Sequence, residues 1–591
     1  MWDFDDLDER EEKAKDSGSH EISVESSRGS LAGQASAETG IDSDALDIQE
    51  KVYMNGACEP IGPKAWSMSE DDLKHLPIHN KVERPKRIVA DIVNKVVPGE
   101  FWGLEFPFSP EMLKTWGPTW LTKAMRRAGT LDLHNEVTKF VQFDVKAADT
   151  SKEDAENAKW GGAAIKILLT VEYRSQEGAP TTKMFVKVPH PLGPGSERAK
   201  NSGAMSGDWP ETIWYNLFGG RFGELPIKTP KCLFSDMARS TTNFIHIIER
   251  LPLGTGGFDD VKIGDFYPPP EKYRDWALPG HGVDLYYAHV RTLARFFGWH
   301  TKLRKKTDGV EQIFFDSASA EFWRKKQGEM EAAGLYNSTS RDRYFAKAVV
   351  SDPEAQAAMQ ALAAPPATYL SFLDLGREFI EQTKHVFPSD LVTPERLRKF
   401  FSEAREIQMY HREIKYHMRI LPEFVAVEHP NAQVDNAWYW KSQDGSTDCG
   451  LLDWGGVFPG SIPNCIGNGW IGAETDMMDE HEGKLLQCFV DEFRKETGVS
   501  LDVNDLWMHV KLAQATVLPG CCINTQRIRG TIDWKRVKSR RDAAVNDNFL
   551  GRCYFVQMEL FLGMWRKRSP YPAFTKWRQR LGLPARVVPS S

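Results

Sequence analysis

Short runs of β-branched and aromatic residues mark the first half of the chain, and apolar residues at helical spacing mark the second half. The runs predict four strands, which cover residues 134–145, 163–173, 184–189 and 243–252. Helices are predicted where apolar positions recur every three or four residues or helix formers dominate: residues 283–302, 355–363, 369–387, 394–419, 474–497, 501–518 and 548–565. The glycine- and proline-rich residues 455–470 are predicted to form a loop. We therefore expect an α+β fold.

The stretch of residues 424–456 places polar side chains between short apolar runs. Its pattern predicts strand, loop, strand, turn and strand, and the Asp-Gly pair at Asp444 and Gly445 is typical of a hairpin turn. Folding back at that turn would bring Asn436, at the end of the loop, beside Asp453. Amide and carboxylate oxygens supplied side by side can hold a hard divalent cation. The alternative interpretation is an ordinary buried hairpin with polar loop residues.

A lone lysine lies in the apolar strand MFVKVP. Burying Lys187 is costly without an anionic partner. The helix that begins near Asp208 supplies Glu211 as the best candidate for that partner, and Glu197 is the competing one. The alternative is that Lys187 lies on an edge strand and reaches solvent.

Composition limits the classes of function. A chain of 591 residues allows about two to four domains, and a net charge of -7 gives no basic field for nucleic acid. Eight cysteines without a CxxC pair form neither a disulfide framework nor a zinc pattern, which favours a reducing compartment. The acidic start and the lack of about eighteen consecutive apolar residues predict a cytoplasmic protein that does not span a membrane.

The residues of the 424–456 stretch resemble the catalytic loop and metal-binding strand of the aminoglycoside phosphotransferase and choline kinase-like family, including its ecdysteroid-kinase-like branch. That family reads His-x-Asp-x-x-x-x-Asn, then a hydrophobic hairpin, then Asp followed by an aromatic residue. His429, Asn436, Asp453 and Trp454 stand at the matching places. One position departs, because Asn431 stands where the family has its catalytic Asp, and an amide cannot act as a base near neutral pH.

The resemblance implies a two-lobed protein-kinase-like fold, with a small β-rich N-lobe and a large, mostly helical C-lobe. It implies ATP and Mg²⁺ as cofactors, with Mg²⁺ on Asn436 and Asp453 and the nucleotide near Lys187 and Glu211. It also implies a glycine turn over the phosphates and a hinge at the adenine edge, for which the candidates are Gly161, Gly162, Ile248, Glu249 and Arg250. The expected divisions are a disordered acidic tail, an N-terminal extension, the two lobes and C-terminal helices: 1–50, 51–118, 119–252, 253–500 and 501–591.

The resemblance further implies transfer of a phosphoryl group to a small-molecule alcohol, with Asn431 and His429 as the candidate catalytic residues. Turnover is expected to be slow without the base, unless Glu428 or Asp435 stands in for it. The alternative function is a pseudokinase that binds nucleotide or another protein, and the acidic tail is a candidate contact for such a partner. Neither nucleic acid nor a membrane is an expected partner.

Overall fold

An antiparallel sheet of five strands lies in the first part of the described chain. The computed structural model describes residues 94–99, 101–146, 164–191, 208–218, 225–238, 241–306, 317–334 and 338–589. The strands are β1 Val137–Lys146, β2 Ile165–Tyr173, β3 Lys183–Val188, β4 Cys232–Ala238 and β5 Asn243–Glu249. Their order across the sheet is β1-β2-β3-β5-β4. The four strands predicted from the sequence are present, and β4 was not predicted.

The two faces of this sheet differ in chemistry because neighbouring side chains along a strand point to opposite faces. The inner face is apolar and includes Ile165, Ile167, Leu169, Val186 and Ile247. On the opposite face, three cross-strand neighbours form a polar row: Lys166, Lys187 and His246. The next row on that face is apolar: Leu168, Phe185 and Ile248. We call these two rows the polar row and the apolar row.

The chain before the sheet is tied to β4 by a buried carboxylate. Asp236 accepts hydrogen bonds from the backbone N–H groups of Phe101 and Trp102, both at 3.0 Å. Helix α1, Pro110–Arg127, follows and packs on β1. It bends at Gly117, whose φ of +62° only glycine adopts readily. The helical stretches on either side of Gly117 therefore form one helix with a kink.

Helix α2, Asp208–Ile213, is a short helix between β3 and β4. It continues as a π-helical turn, Trp214–Phe218. The rest of the chain is mostly helical. The long helices are α3 Val283–Lys306, α4 Ser317–Ala332, α5 Ser338–Ser351, α6 Pro353–Leu362, α7 Pro366–Thr383, α8 Pro394–Gln408 and α9 His411–Ile420. The helix predicted over residues 394–419 is thus two helices, α8 and α9, separated at residues 409–410.

Four short strands follow α9. They are β6 Val425–Glu428, β7 Ala437–Lys441, β8 Thr447–Leu451 and β9 Phe458–Ser461. The predicted hairpin is present, because β7 pairs antiparallel with β8. The loop predicted over residues 455–470 is largely wrong: it contains β9, which pairs with β6, and helix α10, Ile462–Gly469. Glycine at 460 is required there, since an added Cβ would lie 2.0 Å from the Glu428 carboxylate.

Further helices complete the chain: α11 Thr475–Thr497, α12 Val503–Asn524, α13 Gln526–Arg529, α14 Ala543–Asn546, α15 Phe549–Arg568 and α16 Tyr571–Arg580. An antiparallel sheet followed by a mostly helical part confirms the predicted α+β fold class and is consistent with a kinase-like, two-lobed arrangement. Within the residues that the structure describes, every helix is too short or too polar to span a bilayer. The acidic tail of residues 1–50 lies outside the described residues.

Candidate active site

A buried lysine joins the sheet to the helical part of the chain. Lys187, on β3, is 8% exposed, and its Nζ lies 2.7 Å from Oε1 of Glu211 on α2. The same Nζ lies 2.5 Å from Oδ1 of Asp453, two residues after β8. Burial opposes the charged form of Lys187, but the two carboxylates outweigh it and hold the pKa of the ammonium above its usual range. The structure thus brings together three of the residues singled out in the sequence.

Asp453 has an unusual backbone and an open side chain. Its φ is +62°, a left-handed conformation that costs a residue with a side chain of order 1–3 kcal/mol. The Lys187 ammonium holds the pKa of Asp453 below its usual range, so the carboxylate is ionised. Its side chain is 45% exposed even though one oxygen is paired with the lysine. Asp453 therefore presents a fixed negative charge that is accessible from outside.

The loop between β6 and β7 is held by its carbonyl oxygens. Side chains donate to the oxygens of three successive residues: Cys465 Sγ to His429 at 3.3 Å, Asn468 Nδ2 to Pro430 at 3.5 Å and Asn436 Nδ2 to Asn431 at 2.7 Å. The backbone at position 431 is therefore fixed independently of its own side chain. This is the position that the resemblance assigns to the base.

His429 connects this loop to the residue before Asp453. Its ring is fully buried, and Nε2 donates to the backbone oxygen of Leu452 at 2.8 Å, which sets the tautomer. Burial lowers the pKa of His429, so the imidazole is neutral. Leu452 in turn donates its N–H to the oxygen of Asn436 at 3.0 Å. These two bonds place the ends of the loop and of the hairpin side by side.

Asn436 and Asp453 together offer the oxygen ligands that Mg²⁺ requires. The side-chain nitrogen of Asn436 is engaged by the Asn431 oxygen, which leaves the amide oxygen for a cation. Asp453 adds an ionised, accessible carboxylate. Within the described part of the chain, no three His, Cys, Asp or Glu side chains cluster as metal ligands. Two protein oxygens nevertheless fit Mg²⁺, which in phosphate sites takes its other ligands from water and substrate.

An aromatic stack packs the turn after Glu211 against the residue that follows Asp453. The ring of Trp454 lies parallel to that of Trp214, at 3.6 Å between centroids and 16° between planes. Phe296, on α3, meets both rings at their edges, 5.5 Å from Trp454 and 5.7 Å from Trp214. Trp214 begins the π-helical turn that follows Glu211. The stack therefore fixes the helix that carries Glu211 relative to the residue beside Asp453.

Sequence reasoning missed Lys166, which lies on β2 directly opposite Lys187 and is 7% exposed. Burial and the neighbouring Lys187 ammonium lower the pKa of Lys166 to about 8. The signal was available, because the segment AIKILL contains one cation in an apolar strand, as MFVKVP does. The rule applied to Lys187 applies equally to Lys166.

Other candidates from the sequence have different outcomes. Gly161, Gly162 and the competing Glu197 lie outside the described residues. At the expected hinge, the N–H groups of Glu249 and Arg250 bond to the oxygens of Lys231 and Lys183 at 2.8 and 3.0 Å. These two N–H groups are thus used inside the sheet, and the role expected for residues 248–250 stays a prediction.

The two residues considered as replacement bases are both engaged. Glu428 is buried, and its carboxylate accepts from the Ser461 N–H at 2.9 Å and from the side-chain amide of Asn464. Asp435 lies 3.6 Å from the ammonium of Lys272 and is only 15% exposed. Neither carboxylate has the open setting that Asp453 has.

Helix α10 ends directly against the loop. A Cβ added to Gly469 would lie 2.3 Å from the backbone oxygen of Ala432. We expect Gly469→Ala to lower the free energy of unfolding by about 1–3 kcal/mol, since backbone cannot yield as a flexible side chain can. Gly483→Ala is the matched control, because a Cβ at Gly483 meets nothing within 4 Å, and it should stabilise helix α11 slightly. Urea unfolding of both variants tests this, and equal stability would contradict the close approach.

Comparison with solved structures finds an ethanolamine kinase from Plasmodium vivax, 11% identical in sequence, with a TM-score of 0.29. The match covers 76% of this chain and 94% of the kinase chain. No protein-family model matches the chain, and no curated protein matches it. A likeness of this size carries no argument about activity, so the function has to be argued from the geometry of the site.

Proposed function

We propose that the chain is an ATP-dependent phosphotransferase that acts on the hydroxyl group of a small molecule. The observation that carries the proposal is the buried ion-pair chain from Glu211 through Lys187 to the accessible carboxylate of Asp453. A lysine held by a helix carboxylate, beside an acid that can take a metal, is the arrangement that phosphoryl transfer uses to orient a nucleotide. The whole arrangement lies between the sheet and the helical part.

The face of the sheet that carries the polar row and the apolar row supports a nucleotide as the ligand. The polar row contains Lys166 and Lys187, and the apolar row contains Leu168, Phe185 and Ile248. The rows are two residues apart along the strands, a separation of about 7 Å. The polar row can thus contact the phosphates while the apolar row contacts the base, and the spacing of the two rows suits the two ends of one nucleotide.

In this proposal Asn436 and Asp453 hold Mg²⁺ through their side-chain oxygens, and Lys187 contacts the phosphates. Bound Mg²⁺ would neutralise charge on the transferring phosphoryl group. The restrained backbone of the loop presents Asn431 to the acceptor hydroxyl, where its amide can orient the hydroxyl but cannot take its proton. His429, buried and neutral, acts as a positioning residue. The reaction is therefore expected to be slow.

The experiment that tests the proposal is titration of the protein with ATP in the presence and absence of Mg²⁺, followed by γ-phosphate transfer to a panel of small alcohols. Metal-dependent binding with slow transfer to one of the alcohols would support the proposal. Binding without any transfer would favour the pseudokinase alternative. Absence of nucleotide binding would overturn both.

Asp453→Ala should remove the metal dependence of ATP binding, because it deletes the charged ligand while Lys187 keeps Glu211 as its partner. Calorimetric titration with Mg²⁺ and with a chelator measures the effect. Asp476→Ala is the matched control, since it removes a carboxylate that is 68% exposed and belongs to the surface of α11. A wild-type affinity that is already independent of metal would show that the site is misassigned.

A further inference from the structure

Lys166 places a second buried ammonium on the polar row. It pairs in register with Lys187 across β2 and β3, so the two side chains leave the same face of the sheet. Like charges directly opposite each other in an antiparallel pair are destabilising. Both residues are more than nine-tenths buried, which adds the cost of removing two ammonium groups from water. The carboxylates of Glu211 and Asp453 offset this cost for Lys187.

The electrostatics at the two lysines change when the site binds a metal ion. Lys166 and Lys187 carry two positive charges, and the Glu211 and Asp453 carboxylates, both of which interact electrostatically with Lys166, carry two negative charges. In the proposed function the charge of Asp453 is taken up by a metal ion. The two lysines then lose the attraction of that carboxylate. A polyphosphate is a class of ligand that supplies negative charge to two adjacent ammonium groups and to a bound metal ion at once.

We propose that Lys166 is a second phosphate-binding lysine, which contacts the polyphosphate tail of the nucleotide together with Lys187. This inference rests on the proposed function, because it assigns a further residue to the same site. The inference predicts that the affinity for a nucleotide rises with its number of phosphates, because two lysines on adjacent strands contact them. The base of the nucleotide would contact the apolar row, so its contribution to the affinity should not depend on either lysine.

Calorimetric titration with Mg²⁺ and ATP, ADP, AMP or inorganic tripolyphosphate tests the inference on the wild type and Lys166→Met. We expect the variant to bind ATP and tripolyphosphate roughly 10- to 100-fold more weakly, as loss of a charge-assisted hydrogen bond implies. AMP should lose much less. Lys166→Arg should recover part of the affinity, because it restores the charge.

Lys183→Met is the matched control. Lys183 lies on the same strand as Lys187, is exposed and pairs with Thr170 instead of Lys166. The Lys183→Met variant also removes one positive charge, but at a distance from Asp453, so its affinity for ATP should not change. If Lys166→Met does not fold, Lys166→Gln carries the same test, and unfolding in urea identifies that case.

The outcomes separate the inference from the proposed function. If the wild type binds ATP and the Lys166→Met and Lys183→Met variants bind it equally well, Lys166 is not a phosphate ligand, and the proposed function stands. A uniform loss for ATP, ADP and AMP would also overturn the inference, since it would indicate general damage to the sheet. If the wild type binds no nucleotide, the proposed function fails first.

Discussion

Lys187→Met should weaken ATP binding roughly 10- to 100-fold and destabilise the fold by about 3–5 kcal/mol at neutral pH. The first effect follows from loss of the proposed phosphate contact. The second follows from Glu211, which is 5% exposed and would lose the ammonium that lies 2.7 Å from its carboxylate in the interior.

The loss of stability should depend on pH. Burial raises the pKa of Glu211, and in the wild type the Lys187 ammonium opposes that shift. Without the lysine, the folded pKa of Glu211 lies further above its unfolded value of about 4.3. The folded state then binds the proton more tightly, so the variant's stability relative to wild type is highest below about pH 4.3 and is lost as pH rises through the folded pKa. Urea unfolding between pH 4.5 and 8 measures this slope.

A double variant separates the two effects of losing Lys187. Lys187→Met combined with Glu211→Gln removes both charges, which is far less costly than leaving one of them buried. The double variant should recover most of the stability and lose the pH dependence, but its ATP affinity should stay low. Lys183→Met serves again as the exposed control. Recovery of ATP affinity in the double variant would contradict the phosphate role of Lys187.

The sequence predicted those parts of the site that follow from the local chemistry of a short segment. A lone cation in MFVKVP needs a partner whatever the fold, and the pairing with Glu211 follows from that need. The hairpin of β7 and β8 was predictable because Asp444 and Gly445 supply the turn by themselves. Lys166 meets the same criterion as Lys187, because the segment AIKILL also carries one cation in an apolar strand.

Tertiary contacts explain what the sequence did not predict. β4 is interrupted in its apolar pattern by Ser235 and Asp236, both fully buried. Asp236 accepts hydrogen bonds from the backbone N–H groups of residues 101–102, and the Ser235 hydroxyl bonds to His246 at 2.8 Å. These partners lie more than ten residues away in the chain. The pairing of Asp453 with Lys187 has no local signal either, because the two residues lie 266 positions apart in the chain.

Asn431 is the residue that we propose to face the acceptor hydroxyl. Asn431 has its backbone oxygen held by the Asn436 side chain at 2.7 Å, and the N–H of Gln433 donates to the same oxygen at 2.8 Å. Substituting Asp for Asn at this position keeps the size of the side chain and leaves both bonds in place.

Asn431→Asp should therefore raise the rate of phosphoryl transfer by a large part of the roughly 10² to 10⁴ that a general base contributes. Positioning and charge neutralisation do most of the work in such a reaction, so the wild type supplies a measurable baseline. Single-turnover transfer of the γ-phosphate to an alcohol that the wild type accepts measures the gain. ATP affinity should change little, because the substitution is on the acceptor side.

Asn431→Ala is the matched control for orientation, and it should fall below the wild type because the hydroxyl loses its hydrogen-bond partner. Glu428→Gln should leave the rate unaffected once stability is matched, since Glu428 is bonded to Ser461 and Asn464 in the interior. A fast wild type, unchanged by Asn431→Asp and disabled by Asp435→Asn, would place the base at Asp435 despite its pairing with Lys272. That result would mean the loop works in a different register from the one its carbonyl contacts imply.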